Sequence, residues 1–264
     1  MVSPSALPLV VAIPGVILIG LALFFGGKTV LANYHYRQAL NEAQANRAQG
    51  VLVNLTRAIR LDPYVDLYHS EMSRSSFVIA SALSRRENRT DQDNQNIQAL
   101  ARQAIEQATL ATRLDPVNVS NWETLSSIYR SVSGSNQQTL QASLQSLGQA
   151  VGLDPANPQL RLAIGGIFYA AGLYEEATQF FSQAVQLKGD FANAHYNLAN
   201  SLVKQEKYNQ AFQQYEEIKK LVQPGSPDYE RAQTEQDQIK DKVTTSPSAP
   251  ANQSTPTATG SAAP

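Results

Sequence analysis

Residues 149–189 read QAVGLDPANPQLRLAIGGIFYAAGLYEEATQFFSQAVQLKG. The segment opens on Gln149-Ala150-Val151-Gly152-Leu153-Asp154-Pro155 and closes on Gln183-Ala184-Val185-Gln186-Leu187-Lys188-Gly189, a near copy of itself. Pro155 and Gly189 are 34 residues apart. A fixed period of this size means stacked supersecondary units, each too small to bury its own apolar face. Between the copies, apolar residues recur at helical spacing, and Gly172 separates two such runs. The unit is therefore a helical hairpin. Proline after the second helix stops it, because proline lacks a backbone donor and clashes with the preceding turn.

Working outward, the same ending recurs at Arg57-Ala58-Ile59-Arg60-Leu61-Asp62-Pro63 and at Ala111-Thr112-Arg113-Leu114-Asp115-Pro116. The spacings from Pro63 to Pro116 and from Pro116 to Pro155 exceed 34, so those units carry insertions. The periodicity predicts helices over 29–47, 50–61, 64–84, 94–114, 117–132, 136–153, 157–171, 174–187, 191–204 and 208–221. A further helix over 226–242 is polar nearly all round and suits a terminal cap, since the last apolar face would otherwise meet water. Arg85–Gln95 has no apolar residue and is expected to be a mobile loop inserted in the second hairpin.

The motifs inside the hairpins resemble the tetratricopeptide-repeat (TPR) family. Trp122-x-x-Leu125-Ser126-x-x-Tyr129 is similar to the family's opening pattern. Ile164-Gly165-x-x-Phe168 is followed by Gly172, Tyr174, Ala177, Phe181 and Ala184. Leu198-Ala199-x-x-Leu202 is followed by Tyr208, Ala211 and Tyr215. Small residues (Gly165, Ala199, Ala177, Ala211) stand where helices approach closely, and large ones fill the space between. The match is strongest over 117–223. Three stretches, 114–122, 157–162 and 192–199, together with 64–74, also resemble TPR domains of membrane proteins from candidate-phyla bacteria. Some of those are joined to O-antigen-ligase-like membrane domains. This chain has one hydrophobic run rather than many, so no ligase residue carries over.

That run is Ala6–Gly27, ALPLVVAIPGVILIGLALFFGG, without a charged or polar side chain. About 20 helical residues span a bilayer core of about 30 Å. A cleaved signal peptide calls for a basic start and a shorter apolar centre, so the run reads as a retained single-pass anchor. Lys28, Arg37 and Arg47 follow it and no basic residue precedes it, which would place the repeats in the cytoplasm. The Ser/Thr/Pro/Ala tail from Thr244 to Pro264 is of a type common in exported segments and points outside. The two signals conflict, with a slight lean to the extracytoplasmic side. The expected organisation is an anchor at 1–28, TPR repeats of about five hairpins at 29–223 with the insertion at 85–95, a capping helix at 224–243 and a disordered tail at 244–264. The fold class is all-α: a TPR helical-hairpin superhelix after one transmembrane helix.

The resemblance implies a concave groove lined by the first helix of each hairpin, where a protein or peptide partner lies. On the family's register the groove candidates are Arg74, Phe77, Glu123, Ser127, Arg130, Tyr169, Asn193, Tyr196, Asn197, Asn200 and Lys204, with Ser70, Leu162 and Gly166 beside them. Asn offers donor and acceptor to a peptide backbone, and Arg pairs with carboxylates. The clamp that chaperone-binding TPR domains use for a C-terminal carboxylate is not matched, because its basic positions hold other residues.

Composition excludes other classes. Net charge is -1, and a nucleic-acid reader carries a basic stripe, so nucleic acid is not an expected partner. There is no cysteine, hence no thiolate chemistry. His35, His69 and His195 lie far apart in sequence, and His69 and His195 share the register position of Trp122. They read as packing residues rather than metal ligands. No nucleophile elbow or phosphate loop is present. The expectation is a non-enzyme without cofactor: a membrane-anchored scaffold binding other proteins. Its alternative is an accessory or substrate-presenting part of an envelope glycan-transfer system. Self-association through exposed repeat faces is a third reading.

Overall fold

The computed structural model describes residues 7–132 and 137–243, with side chains from Gly20 onward. Eleven α-helices account for nearly all of the described residues: α1 (Leu7–Gln44), α2 (Ala48–Leu61), α3 (Asp66–Ser84), α4 (Asp91–Leu114), α5 (Val119–Val132), α6 (Gln137–Leu153), α7 (Pro158–Ala170), α8 (Tyr174–Leu187), α9 (Ala192–Lys204), α10 (Tyr208–Leu221) and α11 (Pro227–Ile239). A single 3-10 turn, Lys240–Lys242, follows α11. The helices pair as antiparallel hairpins, α1 with α2 through α9 with α10. The chain divides into two compact units, Met1–Gly189 with four hairpins and Asp190–Pro264 with the fifth hairpin and α11.

Each hairpin obeys one register. At the crossing of its two helices sit small residues with near-zero exposure: Ala39, Ala104, Ala177 and Ala211, with Gly165 and Ala199 opposite the last two. An added Cβ on Gly165 would stand 2.6 Å from the Phe181 ring, so α7 and α8 close to this distance only with glycine there. In the third hairpin the small pair is Ser126 and Ser143, whose hydroxyls lie 2.7 Å apart. Buried hydroxyls must pair with something, and here they pair with each other.

The tight turns also repeat. Asn46, Gly172 and Glu206 each take a left-handed φ, of 54°, 77° and 58°. The residue after each donates to the carbonyl five residues before it: Arg47 to Glu42, Leu173 to Phe168 and Lys207 to Leu202, at 2.9–3.0 Å. This is the usual left-handed closure of a helix C-terminus. The second hairpin has no such closure. Its helices α3 and α4 are the longest after α1, and their extra turns project beyond the neighbouring hairpins' length.

One expectation changes. The predicted loop 85–95 is only 85–90, because Thr90 and Asp93 form a capping box that starts α4 at Asp91 (Asp93 N–H to Thr90 Oγ1 3.1 Å, Thr90 N–H to Asp93 Oδ2 3.0 Å). Two reciprocal cap bonds satisfy donors that an apolar face does not need to supply. Helix α1 runs without a break from Leu7 through Gly26-Gly27 to Gln44. The boundary between the two compact units falls at Gly189, inside the run of repeats. Among the described residues no helix is long and apolar enough to cross a membrane. Of the predicted span 6–27, residue 6 lies outside the described residues and 7–19 are described in backbone only. The tail 244–264 also lies outside them.

The capping helix α11 is polar, yet buried on one stripe. Ala232, Gln236 and Ile239 are almost fully enclosed. Gln236 donates to Glu216 Oε1 (2.6 Å) and accepts from Lys219 Nζ (2.7 Å). The Gln236 bond, and after it Lys219 Nζ at 3.0 Å, hold the Glu216 carboxyl below its ordinary pKa. A buried amide with both ends satisfied replaces the apolar contact that the sequence of α11 lacks.

Candidate functional site

The first unit brings four of the register-predicted residues together. Arg74 and Phe77 of α3 and Glu123 and Ser127 of α5 line a cleft of about 490 Å³, along with Val78, Ser120, Thr124 and Ile128. Arg74 holds its walls: Nε and Nη2 donate to Thr124 Oγ1 at 3.2 and 2.9 Å, and Nη1 donates to Glu71 Oε1 at 3.2 Å. Most donors of this guanidinium are therefore committed inside the protein. These bonds tie α3 to α5. Glu123 lies half-buried in the cleft. Burial pushes its pKa up, the charge of Asp154 adds to this, and Arg74 opposes it.

A second cleft of about 540 Å³ adjoins the first, sharing Arg74 and Val78. It opens between the α1–α2 turn and the projecting part of α3. Its floor is apolar: Ala43, Val51, Val78, Ile79, Ala82 and Leu83. Its rim carries Arg47, Glu71, Arg74 and Arg86. All four rim charges are already partnered, Arg47 with Glu42 at 2.6 Å, Arg74 with Glu71 at 3.2 Å and Arg86 with Asp93 at 3.8 Å. Val78 is 64% exposed at the junction of the clefts, where an isolated β-branched side chain on a helix gains nothing from water. Register reasoning missed this cleft, because the extra turns of α3 have no place in a 34-residue pattern. The signal that could have found it was the apolar pair Val78-Ile79 followed one turn later by Ala82-Leu83.

Arg130 and Tyr169 lie outside both clefts. Arg130 is exposed in the last turn of α5. Tyr169 makes an edge-on ring contact with Tyr174 at 5.3 Å.

In the second unit the predicted residues are largely engaged within the fold. Tyr196 donates to Glu235 Oε1 of α11 at 2.5 Å, and burial raises its phenol pKa, with the Glu235 bond adding to this. Asn200 Oδ1 accepts from Tyr215 at 2.8 Å. Asn197 donates to the Asn193 backbone carbonyl and side chain at 2.7 and 2.9 Å. Asn193 and Tyr196 border a small cavity of about 130 Å³ closed by Asp228 and Arg231 of α11. Lys204 stands exposed in the last turn of α9. Helix α11 thus meets Tyr196 and borders Asn193, two of the five residues that the register assigned to a ligand here.

The histidines share one structural role. His35, His69 and His195 stand at the same position of their hairpins, and each ring Nδ1 faces a side-chain amide on the second helix: Asn54 at 3.2 Å, Gln107 at 2.7 Å and Gln214 at 2.7 Å. His69 Nε2 also donates to the Pro63 carbonyl (3.0 Å), as Trp122 Nε1 does to Pro116 (2.8 Å) and Arg161 Nη2 to Pro155 (3.3 Å). His69, Trp122 and Arg161 each reach back six positions to close the turn between hairpins. That His35 also faces an amide of the second helix was not evident from sequence, because its helix is fused to the apolar run. No group of metal-ligating side chains converges among the described residues.

With this geometry in view, comparison with known proteins agrees on the fold. Residues 165–206 match the model of the TPR repeat. The chain is similar in structure to MamA (TM-score 0.56, 13% identity, covering 82% of this chain and 98% of that one). It is also similar to pilF of Pseudomonas aeruginosa (0.58, 14%, 82% and 87%). A third likeness is to YrrB, a TPR protein described as having an unusual peptide-binding site (0.52, 16%, 76% and 90%). No curated protein matches the chain by sequence. Among the described residues the fold is all-helical and of the TPR type.

Proposed function

We propose that the chain is a membrane-anchored scaffold that binds a peptide or helix of a partner protein on the first-helix face of its N-terminal unit. The observation that carries this reading is the pair of adjoining clefts on α3. One has an apolar floor and the other a lining of mixed polarity, and the exposed Val78 lies between them. A partner segment can place apolar side chains in the first while its backbone meets Ser120, Ser127 and Glu123 in the second. The scaffold is preformed, so the partner bears most of the ordering cost. YrrB's peptide-binding site, on the same fold, supports peptide capture as the mode. The apolar run 6–27 supplies the anchor, and confinement at the membrane raises the local concentration of partners held there. The repeats lie on the extracytoplasmic side in this reading, and degradation by protease added to intact cells would agree with it. Protection in intact cells but not in lysate would reverse the orientation.

The binding test places a photo-reactive amino acid at Val78 of the full chain in its own cells, with Gln98 on the outer side of α4 as control. A discrete adduct at 78, absent at 98 and lost when Phe77→Asp is added, is the expected result. Equal labelling at both positions, or none at 78, would remove this surface as the binding site.

A further inference from the structure

The turn between α2 and α3 exposes what a soluble turn does not need to expose. Tyr64 is 82% exposed and Leu67 44%. Neither packs in the cluster formed beneath them by Ala32, Ala58 and Tyr68. The next turn at the same end of the unit exposes Val117 at 72%. It is held against the first by Asn118 and Asn121, which donate to Asp66 Oδ2 at 3.1 and 2.8 Å.

The position of this edge along α1 is fixed by hydrogen bonds. Thr29 Oγ1 donates to Asp62 Oδ2 at 3.1 Å, and Tyr68 donates to Asn33 Oδ1 at 3.0 Å. The turn therefore sits level with Thr29, two residues beyond Gly27, where the apolar run ends. At about 1.5 Å per residue that is about 3 Å along the helix. A headgroup layer is about 5–8 Å thick on each side of the hydrocarbon. Because α1 is one uninterrupted helix through Gly26-Gly27, this offset is rigid. A tilt of about 20° across one interhelix spacing of about 10 Å changes the level of the turn by only about 3–4 Å. Lys28 folds back over the Phe24 ring, 4.6 Å from its centroid, as a cation does at the boundary between hydrocarbon and headgroups.

We propose that this edge rests in the headgroup layer, with Tyr64 and Leu67 as a second membrane contact beside the anchor. The inference builds on the anchor reading given above. Tyrosine suits that layer because its ring is apolar and its hydroxyl wet. The nearby charges are Lys28 and Arg60 against Asp62 and Asp66, two of each sign. Zwitterionic headgroups are the matching surface, without need of anionic lipid. The contact orients the first hairpins upright on the membrane and turns both α3 clefts away from it laterally, open to a partner.

The natural absence of cysteine makes the test clean. Full chains bearing Tyr64→Cys or, as control, Glu87→Cys at the far end of α3 are labelled with an environment-sensitive fluorophore. They are then reconstituted into phosphatidylcholine vesicles containing a headgroup-nitroxide lipid. The label at 64 is expected to shift to the blue and to be quenched by the nitroxide, while the label at 87 does neither. If both chains float with the vesicles but the two labels respond alike, the edge contact is wrong and the anchor stands. If the chains do not float, the anchor reading fails and this inference falls with it.

Discussion

At the scale of single residues, the position that closes each inter-hairpin turn carries the clearest lesson. Histidine, tryptophan and arginine all serve there, because each has an N–H that reaches the carbonyl six residues back. Arginine serves worst. Arg161 meets Pro155 at 3.3 Å, and its Nη1 is buried with no partner. It also borders a mostly apolar cleft of about 440 Å³ with Phe168 and Phe180. Arg161→Trp would donate to the same carbonyl, as Trp122 does, and fill part of that cleft. A buried unpaired donor costs about 1–3 kcal/mol, so the variant should gain about 1 kcal/mol, read as a higher urea midpoint. Loss of stability would mean that the guanidinium has a partner beyond those described. Glu123 makes a second residue-scale prediction. Its pKa is raised by burial and by Asp154, so the folded state holds its proton more tightly than the unfolded chain. The cost of ionising it is absent below the ordinary glutamate pKa of about 4.3. It is fully present above the raised value, so stability falls as pH rises through that window. Glu123→Gln should therefore unfold at a higher temperature than the parent at neutral pH and at the same temperature in acid. Register alone put Glu123, Ser127, Arg74 and Phe77 on one face. That Arg74 is committed to Thr124 could not be read from it, because the pairing depends on the spacing of two helices 50 residues apart in sequence.

At the scale of elements, helix ends were legible where a proline or glycine marks them and illegible where a side chain does. The Leu-Asp-Pro endings gave the last residues of α2, α4 and α6, at Leu61, Leu114 and Leu153. The start of α4 was hidden in a stretch with no apolar residue, where only the Thr90–Asp93 box decides. Helix α1 was split in the sequence reading because its apolar and amphipathic halves follow different rules, whereas the backbone does not interrupt. Close approach of helices was the most legible feature, and α7 with α8 offers its sharpest test. At Gly165 a Cβ would meet the Phe181 ring at 2.6 Å, while at neighbouring Gly166 it meets nothing within 4 Å. Gly165→Ala should cost about 1–3 kcal/mol as an overpacking change, and Phe181→Leu should recover part of it. Gly166→Ala should gain about 0.5–1 kcal/mol from helix propensity. Denaturant unfolding of the two variants side by side reads both signs. Equal effects would mean that the helices separate freely and that the small-residue crossing is not what sets their distance.

At the scale of the whole molecule, the rigid continuation of α1 out of the apolar run links the two functional readings. The peptide site on α3 requires only that the N-terminal unit fold. The membrane edge requires in addition that the unit keep its height and rotation relative to the anchor. A helix transmits both, at about 1.5 Å and 100° per residue, whereas a Gly/Ser linker transmits neither. Inserting a flexible eight-residue linker, about 15 Å in root-mean-square reach by the random-coil relation, between Gly27 and Lys28 should therefore separate them. The chain should still float with vesicles and still yield the adduct at Val78. The label at position 64 should lose most of its headgroup quenching, because a single exposed tyrosine and leucine bury too little apolar surface to hold the unit down unaided. A one-residue alanine insertion at the same place rotates the repeats by about 100° while lifting them only about 1.5 Å. It should reduce the quenching less than the linker does, since the turn stays within the headgroup layer. If the linker variant retains full quenching, the edge binds lipid on its own and α1 is a tether rather than a strut. If the linker also abolishes the adduct at Val78, the partner must itself be fixed at a set height on the membrane, and the orientation that α1 imposes is part of how that partner is recognised.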